Sequence, residues 1–504
     1  MDLLANMALG FQTAFSPENL FYCFLGVFLG TFIGVLPGIG ALAAVSMLLP
    51  VTFYLPPTAA LVMLAGVYYG AEYGGSIASI LLNLPGTPSA AVTCLDGYPM
   101  AQQGRAGEAL LMTTLASFFG GSVGILLLMG FAPLLVKVAL AFGPADYFAV
   151  MLFGLLAASA ISQGTPIKGI IMVVLGVLIG CIGADLETGA ERFTLGLPAL
   201  FDGVSIIALA MGLFGISEII ASIDSKDHKP QTRITFRSML PRPGELKRSW
   251  MPMVRGSAIG SFFGTLPGTG QTIAAFMSYV VEKKVSRTPE RFGKGTVEGI
   301  MAPEAANNAA AQTAFIPTLT MGIPGAATMA LMLGALMIHG IAPGPMLMTS
   351  RPELFWGLVA SFWIGNVLLV ILNVPLIGLW VRILSVPYQW LYPAILVMIC
   401  IGVYSVNNNV FDVYLALIFG LLGYAMRLFG FEPAPLLIGF VLGPMIEENF
   451  RRAMLMARGN FFALFERPIS GTLLTLAIIL LVWAFWTSIR PSRKRSPIAQ
   501  SDPA

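Results

Sequence analysis

The sequence predicts an all-α polytopic membrane protein built from two inverted structural repeats, with re-entrant or broken helices and about 11–12 transmembrane helices in all. Three observations predict it. Apolar residues make up 57% of the chain and charged residues 11%, against roughly 25% charged in a soluble domain; the mean hydropathy is +0.82. Apolar runs recur almost without pause from Leu20 to Trp486. Finally, two stretches share the pattern G-x-L-P-G-x-G, at 34–40 and 264–270, each near the middle of about thirty mostly apolar residues. Such a run exceeds the roughly 20 residues a helix needs to cross a bilayer. Proline removes a backbone donor and glycine disfavours helix, so a helix should break at each motif. Broken backbone at membrane depth is tolerated only where protein buries it or a polar cavity is lined by it.

In chain order, the apolar spans expected in the first half are 20–49, broken at Pro37-Gly38, and 58–83, followed by the break Pro85-Gly86-Thr87-Pro88. Spans at 107–139, 145–162, 166–184 and 201–222 follow. The polar stretch from Asp224 to Trp250 carries Lys226, Lys229, Arg233, Arg237, Arg242, Lys247 and Arg248 and divides the chain. The second half runs through 251–282, broken at Pro267-Gly268, then 298–320, 324–347, 353–383, 389–406, 410–427 and 434–449. A last span, 470–489, falls outside the pattern and leads into a basic tail. The expected organisation is a first membrane repeat at 1–223, a cytoplasmic basic linker at 224–250, a second membrane repeat at 251–467, and an extra helix with its tail at 468–504. Met1-Asp2-Leu3-Leu4-Ala5 lacks a basic n-region, which argues against a cleaved signal peptide.

The two halves match element by element. A shift of 230 places Gly34 on Gly264, and a shift of 239 places Pro85-Gly86 on Pro324-Gly325. Two breaks in one order make an internal repeat the economical reading. Both flanks of span 251–282 are basic, so the positive-inside rule puts both in the cytoplasm. That span then enters and leaves on one side as a re-entrant hairpin, whose arms of about 15 residues reach roughly 22 Å. The flanks of 20–49 hold no Lys or Arg, which suits the outside. The repeats are therefore expected to be inverted, although Arg451, Arg452, Arg458 and Arg467 fall on the outer side of that scheme.

Polar residues crowd around the breaks. Glu304, Asn307 and Asn308 recur at i, i+3 and i+4 and share one helix face, which Gln312 and Thr313 continue. A carboxylate in a membrane span is costly and points to function; the alternative is that these groups bond helices together. The first-half counterpart is Glu72, leading to Asn83, Thr87 and Ser89 beside the first Pro-Gly break. Freed carbonyls there can hold a cation, and helix N-termini can hold a carboxylate by their positive ends. The expected substrate-binding residues are Pro37, Gly38, Gly40, Asn83, Pro85, Gly86, Thr87, Ser89, Pro267, Gly268, Thr269, Gly270, Pro324 and Gly325. Glu72, Glu304, Asn307, Asn308, Thr318 and Thr320 are expected to bind the cation or support the site, Glu72 in support rather than in contact with substrate.

Other candidates weaken. Gly293-Lys294-Gly295-Thr296 does not keep phosphate-loop spacing, and His228 and His339 make no HExxH. Cys23, Cys94, Cys181 and Cys400 are scattered without a CxxC and read as small buried hydrophobes. Lys168, Arg382 and Arg427 fall at span ends, where snorkelling explains them.

The chain resembles the large membrane subunit (TctA-like permease) of the tripartite tricarboxylate transporter family. The resemblance rests on GVLPGIG (34–40), NLPGTPSAA (83–91), DGYPMAQQG (96–104), GTLPGTG (264–270), MAPEAANNAAA (301–311), PTLTMGIPG (317–325) and HGIAPGP (339–345). It covers about 15 to 450, with Gln312-Thr313 standing where smaller residues are expected. It implies a permease of the bacterial inner membrane that imports organic di- or tricarboxylates coupled to Na⁺ or H⁺, with no other cofactor. It also implies a small four-helix membrane subunit and a periplasmic solute-binding protein as partners. Nucleic acid is not expected. The alternatives are an intramembrane enzyme, for which no nucleophile, base or metal cluster stands at readable spacing, and a passive anion channel.

Overall fold

The computed structural model describes residues 3–161, 165–185, 188–222, 234, 236–267, 270–384 and 388–489. Its first helices, α1 (Leu3–Ala14) and α2 (Pro17–Val35), are joined by Ser16, whose hydroxyl accepts the Asn19 N–H and caps α2. The chain breaks at 36–39, as the sequence predicts, and resumes as α3 (Gly40–Thr52). Gly38 and Gly40 take φ of +88° and +73°, a region that a Cβ disfavours. Helix α4 (Pro57–Leu82) opens on proline and stops at Asn83, whose φ of 57° turns the chain out of the helix.

One difference follows. The sequence starts the next helix near 107, but a 3₁₀ turn (Pro88–Ala90), α5 (Ala91–Met100) and a π-turn (Ala101–Arg105) run straight into α6 (Ala106–Ala139). Gly97 and Pro99 read as breakers, yet the turn absorbs the distortion with Gly104 at φ +75°. Helices α7 (Pro144–Ile161) and α8 (Pro166–Gly180) follow, then a two-residue ribbon of β1 (Gly183–Ala184) and β2 (Glu191–Arg192). Helix α9 (Ile206–Ala210) continues through a π-turn into α10 (Ser217–Ser222).

The expected linker ends earlier than 250. After α11 (Phe236–Met239), α12 (Glu245–Gly264) takes up its last six residues, while 223–233 and 235 lie outside the described residues. The second half continues with α13 (Gly270–Val285), α14 (Glu298–Thr313) and α15 (Phe315–Met321). Next come α16 (Ala327–Ile338), shorter than the 324–347 span, then α17 (Leu347–Ser350) and α18 (Pro352–Asn373). The span 353–383 is split at 374–376, so α19 (Ile377–Ile383) stands apart. The chain closes with α20 (Tyr388–Asn407), α21 (Val410–Leu428), α22 (Ala434–Met456), α23 (Ala463–Glu466) and α24 (Pro468–Ile489).

Among the described residues, five helical stretches are long and apolar enough to cross a membrane, and several shorter apolar helices accompany them. Their outward faces expose large apolar residues such as Leu126, Val174, Ile418, Leu421 and Ile479. The polar residues gather inside instead. Residues 59–81 of α4 and every residue of α14 are buried.

The halves repeat one packing arrangement. A Cβ at Gly26, Gly30 or Gly34 of α2 would lie 2.2–2.3 Å from the carbonyl oxygens of Met63, Val67 and Ala71 on α4. At Gly256, Gly260 and Gly264 of α12 it would lie 2.1–2.5 Å from those of Ala302, Ala306 and Ala310 on α14. Backbones approach this closely because the glycines put no side chain between the helices. Each glycine matches its counterpart at a shift of 230, and each carbonyl at 239. Helix α4 and the α14–α15 stretch run head to tail: Tyr68 packs on Phe315 of α15, while Glu72, further along α4, faces Asn307, further back on α14.

Candidate functional site

Each hairpin tip folds back onto the Pro-Gly break of its own half. The Gly38 N–H donates to Pro85 O at 3.3 Å, and the Gly86 N–H donates to Gly75 O at 3.3 Å. A Cβ at Gly86 would lie 2.2 Å from Gly34 O; one at Gly325 would lie 3.2 Å from Gly264 O. Pro37, Gly38, Pro85 and Gly86 thus meet each other, and Pro267, Pro324 and Gly325 sit in the matching place. None of them lines the cavity beside them. Gly268 and Thr269 lie outside the described residues.

That cavity, of about 200 Å³, is walled by the starts of the helices that leave the breaks. Ala41 and Leu42 open α3, Pro88 and Ser89 lead into α5, and 270–273 open α13. Residues 326–328 open α16, and Ala434 and Pro435 open α22. Both halves therefore aim helix N-termini at one small space. The unbonded N–H groups of a first turn, with the positive end of the helix dipole, suit an anion. Among the described residues no Lys, Arg or His lines this cavity, and two carboxylates do, Glu72 and Glu432.

The remaining predicted residues divide. Glu72 stands on the cavity wall rather than behind it, and its Oε2 accepts from Ser89 Oγ at 2.6 Å and Thr87 Oγ1 at 3.2 Å. Asn307 is 1% exposed and faces the Glu72 carboxylate, yet neither its Nδ2 nor its Oδ1 closes a hydrogen bond. Glu304, one turn back on α14, is engaged by other partners: Thr93 donates at 2.6 Å and Ser117 at 3.3 Å. Asn308 donates to Glu304 O on its own helix. Thr318 and Thr320 donate to Ala314 O and Ile316 O, one turn back, and away from the cavity.

Asn83 is exposed and absent from the wall; its position matches Gly322, at φ +70°, in the second half. Its role is to end α4 in the left-handed conformation, which Asn tolerates. Gly40, outside the wall itself, holds φ +73° so that α3 can start toward the cavity. Gly270, at φ +58°, both starts α13 and lines the wall.

Sequence reasoning missed Gln271. It lies in the first turn of α13, is 9% exposed, and its Nε2 has no acceptor. Its signal was available: polar residues directly after a G-x-L-P-G-x-G tip fall in the first turn of the outgoing helix. A larger cavity was missed too. At about 590 Å³, it lies between the C-terminal ends of α8 and α16 and the middle of α22. Arg451 on its rim bonds Asp185 at 2.7 Å and Glu447 at 2.6 Å, and Arg192 bonds Glu447 at 2.7 Å. Together with Arg452 on Glu448 and Arg467 on Asp146, these pairs neutralise three of the four arginines that fit the orientation scheme poorly. Ile438 belongs to the small cavity while Phe440 and Val441 belong to the large one, so about one turn of α22 separates them.

Lys168 does more than snorkel: its Nζ donates to Phe429 O at 2.7 Å and satisfies the end of α21. Arg427 pairs with Glu218. Cys23 is buried, and the other three cysteines are partly so. Among the described residues no group of three or more His, Cys, Asp or Glu is placed to hold a metal ion.

Known proteins extend this picture. The chain is 50% identical over 496 residues to an uncharacterized 52.8 kDa protein of the TAR-I ttuC' 3' region of Agrobacterium vitis, covering 98% of this chain and 99% of that one. It is 55% identical over 234 residues to a protein of the TAR-II ttuC' 3' region of the same organism, covering 46% of this chain and 97% of that one. No solved structure matches. The model of the tripartite tricarboxylate transporter TctA family matches residues 20–438, and the chain belongs to that family, as a multi-pass membrane subunit of a tripartite transporter.

Proposed function

We propose that this chain is the large permease subunit that imports an organic di- or tricarboxylate across the bacterial inner membrane, driven by Na⁺ or H⁺. The observation that carries the reading is the small cavity where first turns from both halves converge without a basic side chain. An anion there is held by oriented N–H groups and helix dipoles, each worth up to ~2 kcal/mol when partly buried, and by Gln271 Nε2. A cavity of about 200 Å³ suits a metabolite smaller than the drug-sized ligands of typical pockets.

The head-to-tail run of α4 and the α14–α15 stretch, with matching glycine contacts in each half, supports an inverted repeat. In such repeats, rocking one unit against the other opens a midplane site to each side in turn. Substrate reaches the site through the larger cavity, delivered by a periplasmic solute-binding protein, and a small four-helix membrane subunit packs on the apolar exterior. The test is an uptake panel of radiolabelled carboxylates in cells carrying all three components. Accumulation against a gradient, collapsed by an ionophore, is the expected result. Ionophore-insensitive equilibration would show a channel, and product formation without net uptake an enzyme.

A further inference from the structure

The acidic residues of the interior divide by what holds them. Among described acidic side chains no more than 5% exposed, Glu108, Asp146, Asp185 and Glu282 each pair with an arginine. Asp96 accepts the backbone N–H groups of Gly293, Gly295 and Thr296. Glu72 and Glu304 receive hydroxyl donors alone. A buried carboxylate without a positive partner is costly enough that it takes up a proton or a cation instead.

Glu304 distributes its donors, Thr93 on Oε1 and Ser117 on Oε2. Glu72 does not: both hydroxyls fall on Oε2, leaving Oε1 without a donor. Beside it stands Asn307, buried, its amide set against that carboxylate without closing a well-formed hydrogen bond. An asparagine in that state costs free energy unless something it can bind is meant to lie between it and the carboxylate. Two carboxylate oxygens, an amide oxygen and two hydroxyl oxygens are hard donors of the kind that an alkali cation takes. The same pair accommodates a proton, with protonated Glu72 donating to Asn307 Oδ1.

We propose that Glu72, Asn307, Thr87 and Ser89 form a site for one monovalent cation, a sodium ion or a proton, on the wall of the anion cavity. The proposal rests on the transport reading above and supplies its coupling step. With the site empty, the Glu72 charge faces the cavity and repels an arriving carboxylate. With the site filled, that charge is neutralised, and among the described wall residues only Glu432 still sets a carboxylate against the helix N-termini. Cation and anion then raise each other's affinity by the same factor, as linkage requires. The site joins the halves as well, since Glu72, Thr87 and Ser89 come from the first and Asn307 from the second.

The test uses the purified full chain in lipid nanodiscs, without substrate. Thermal unfolding is followed as NaCl replaces choline chloride at constant ionic strength, and the carboxylic-acid C=O stretch is recorded by infrared spectroscopy. For sodium, the unfolding midpoint of the wild type rises saturably with NaCl; Glu72→Gln abolishes the rise, and Asn307→Ala moves its half-saturation tenfold or more. For a proton, NaCl has no effect beyond choline, and the wild type shows protonated-acid absorption near neutral pH; Glu72→Gln removes one component of it and Asn307→Ala shifts that component in frequency, while the component from Glu304 stays. Should Glu72→Gln fail to fold, Ser89→Ala and Asn307→Ala carry the same readouts. A wild type with neither signal, or a Glu72→Gln protein that keeps the wild-type signal, overturns the proposal. Failure of the transport reading looks different: the cation signal persists while the uptake panel in cells stays blank.

Discussion

Gly86 and Gly325 hold equivalent places in the two halves, yet alanine should be costly at one and nearly neutral at the other. At Gly86 a Cβ would stand 2.2 Å from Gly34 O and 2.6 Å from Gly75 Cα. At Gly325 the nearest atoms are Gly264 O at 3.2 Å and Ala314 Cβ at 3.6 Å. The reason is the third residue: Gly75 of α4 is matched by Ala314 in the second half, and the methyl group already holds the backbones apart. To relieve Gly86→Ala, the tip must withdraw by about 1 Å, the difference between 2.2 and 3.2 Å. Overpacking of this kind costs ~1–3 kcal/mol, and the retreat also weakens the bond from Gly38 N to Pro85 O, worth ~1 kcal/mol. Both substitutions recover ~0.4–1 kcal/mol by restricting the unfolded chain. Gly86→Ala should therefore lose roughly 1–3 kcal/mol net, and Gly325→Ala should stay within ~1 kcal/mol of wild type. Apparent unfolding temperatures of the purified variants, with uptake normalised to folded protein in the membrane, measure the contrast. Equal losses, or a larger loss at Gly325, would refute the packing argument.

Three further outcomes are expected. Gln271→Ala removes a hydrogen bond to a charged ligand, worth ~1.5 kcal/mol or more, and should raise the substrate half-saturation about tenfold with unchanged unfolding temperature; unchanged half-saturation would place the substrate elsewhere. Single cysteines at Pro56 and Ser286 should label from opposite membrane faces, and labelling from one face would contradict the inverted arrangement. Asp96→Ala strips the acceptor from three backbone N–H groups and the Tyr279 hydroxyl. With charge-assisted bonds worth ~1.5–3 kcal/mol each before relaxation, trypsin should cut after Lys294 at least tenfold faster; an unchanged rate would deny Asp96 its role.

Apolar runs, proline and glycine made the architecture legible, because helix breaks at membrane depth are written in residues that cannot continue a helix. The glycines of α2 and α12 were visible as well, but not their purpose. Spacing of four suggests a close helix contact and names no partner, so the carbonyls of Met63 or Ala302 could come only from coordinates. The site was half legible. Thr87, Ser89, Glu72 and Asn307 converge as unusual polar residues in apolar sequence should, whereas Thr318 and Thr320 spend their hydroxyls on their own helix. Asn83 reads as a ligand because Asn is polar, but the backbone uses it for its tolerance of positive φ. The tips misled in a subtler way: the sequence marks where the chain turns, while the cavity is lined by what comes just after the turn.

The shifts of 230 and 239 differ by nine residues, gained mostly in the connection between α13 and α14. Here the second half carries 286–297 where the first has 53–56. The added chain is no idle loop. Gly293, Gly295 and Thr296 close around Asp96 of the first half, Gln103 donates to Lys294 O at 2.8 Å, and Arg105 to Gly295 O at 3.3 Å. The position matching Asp96 in the other half is Ala335, which offers no acceptor to clasp. A near-symmetric machine has thus been given a latch at one end and none at the matching place of the other. Two mirror-related conformations of a symmetric molecule would be equal in free energy; the latch breaks that tie. Parting the halves at the Asp96 end must undo several charge-assisted bonds to a buried carboxylate, while beside the large cavity they are joined by partly exposed arginines, Arg451 on Asp185 and Arg192 on Glu447. The two ends are therefore held by different chemistry, and rising salt should loosen the arginine pairs beside the cavity well before it loosens the Asp96 latch.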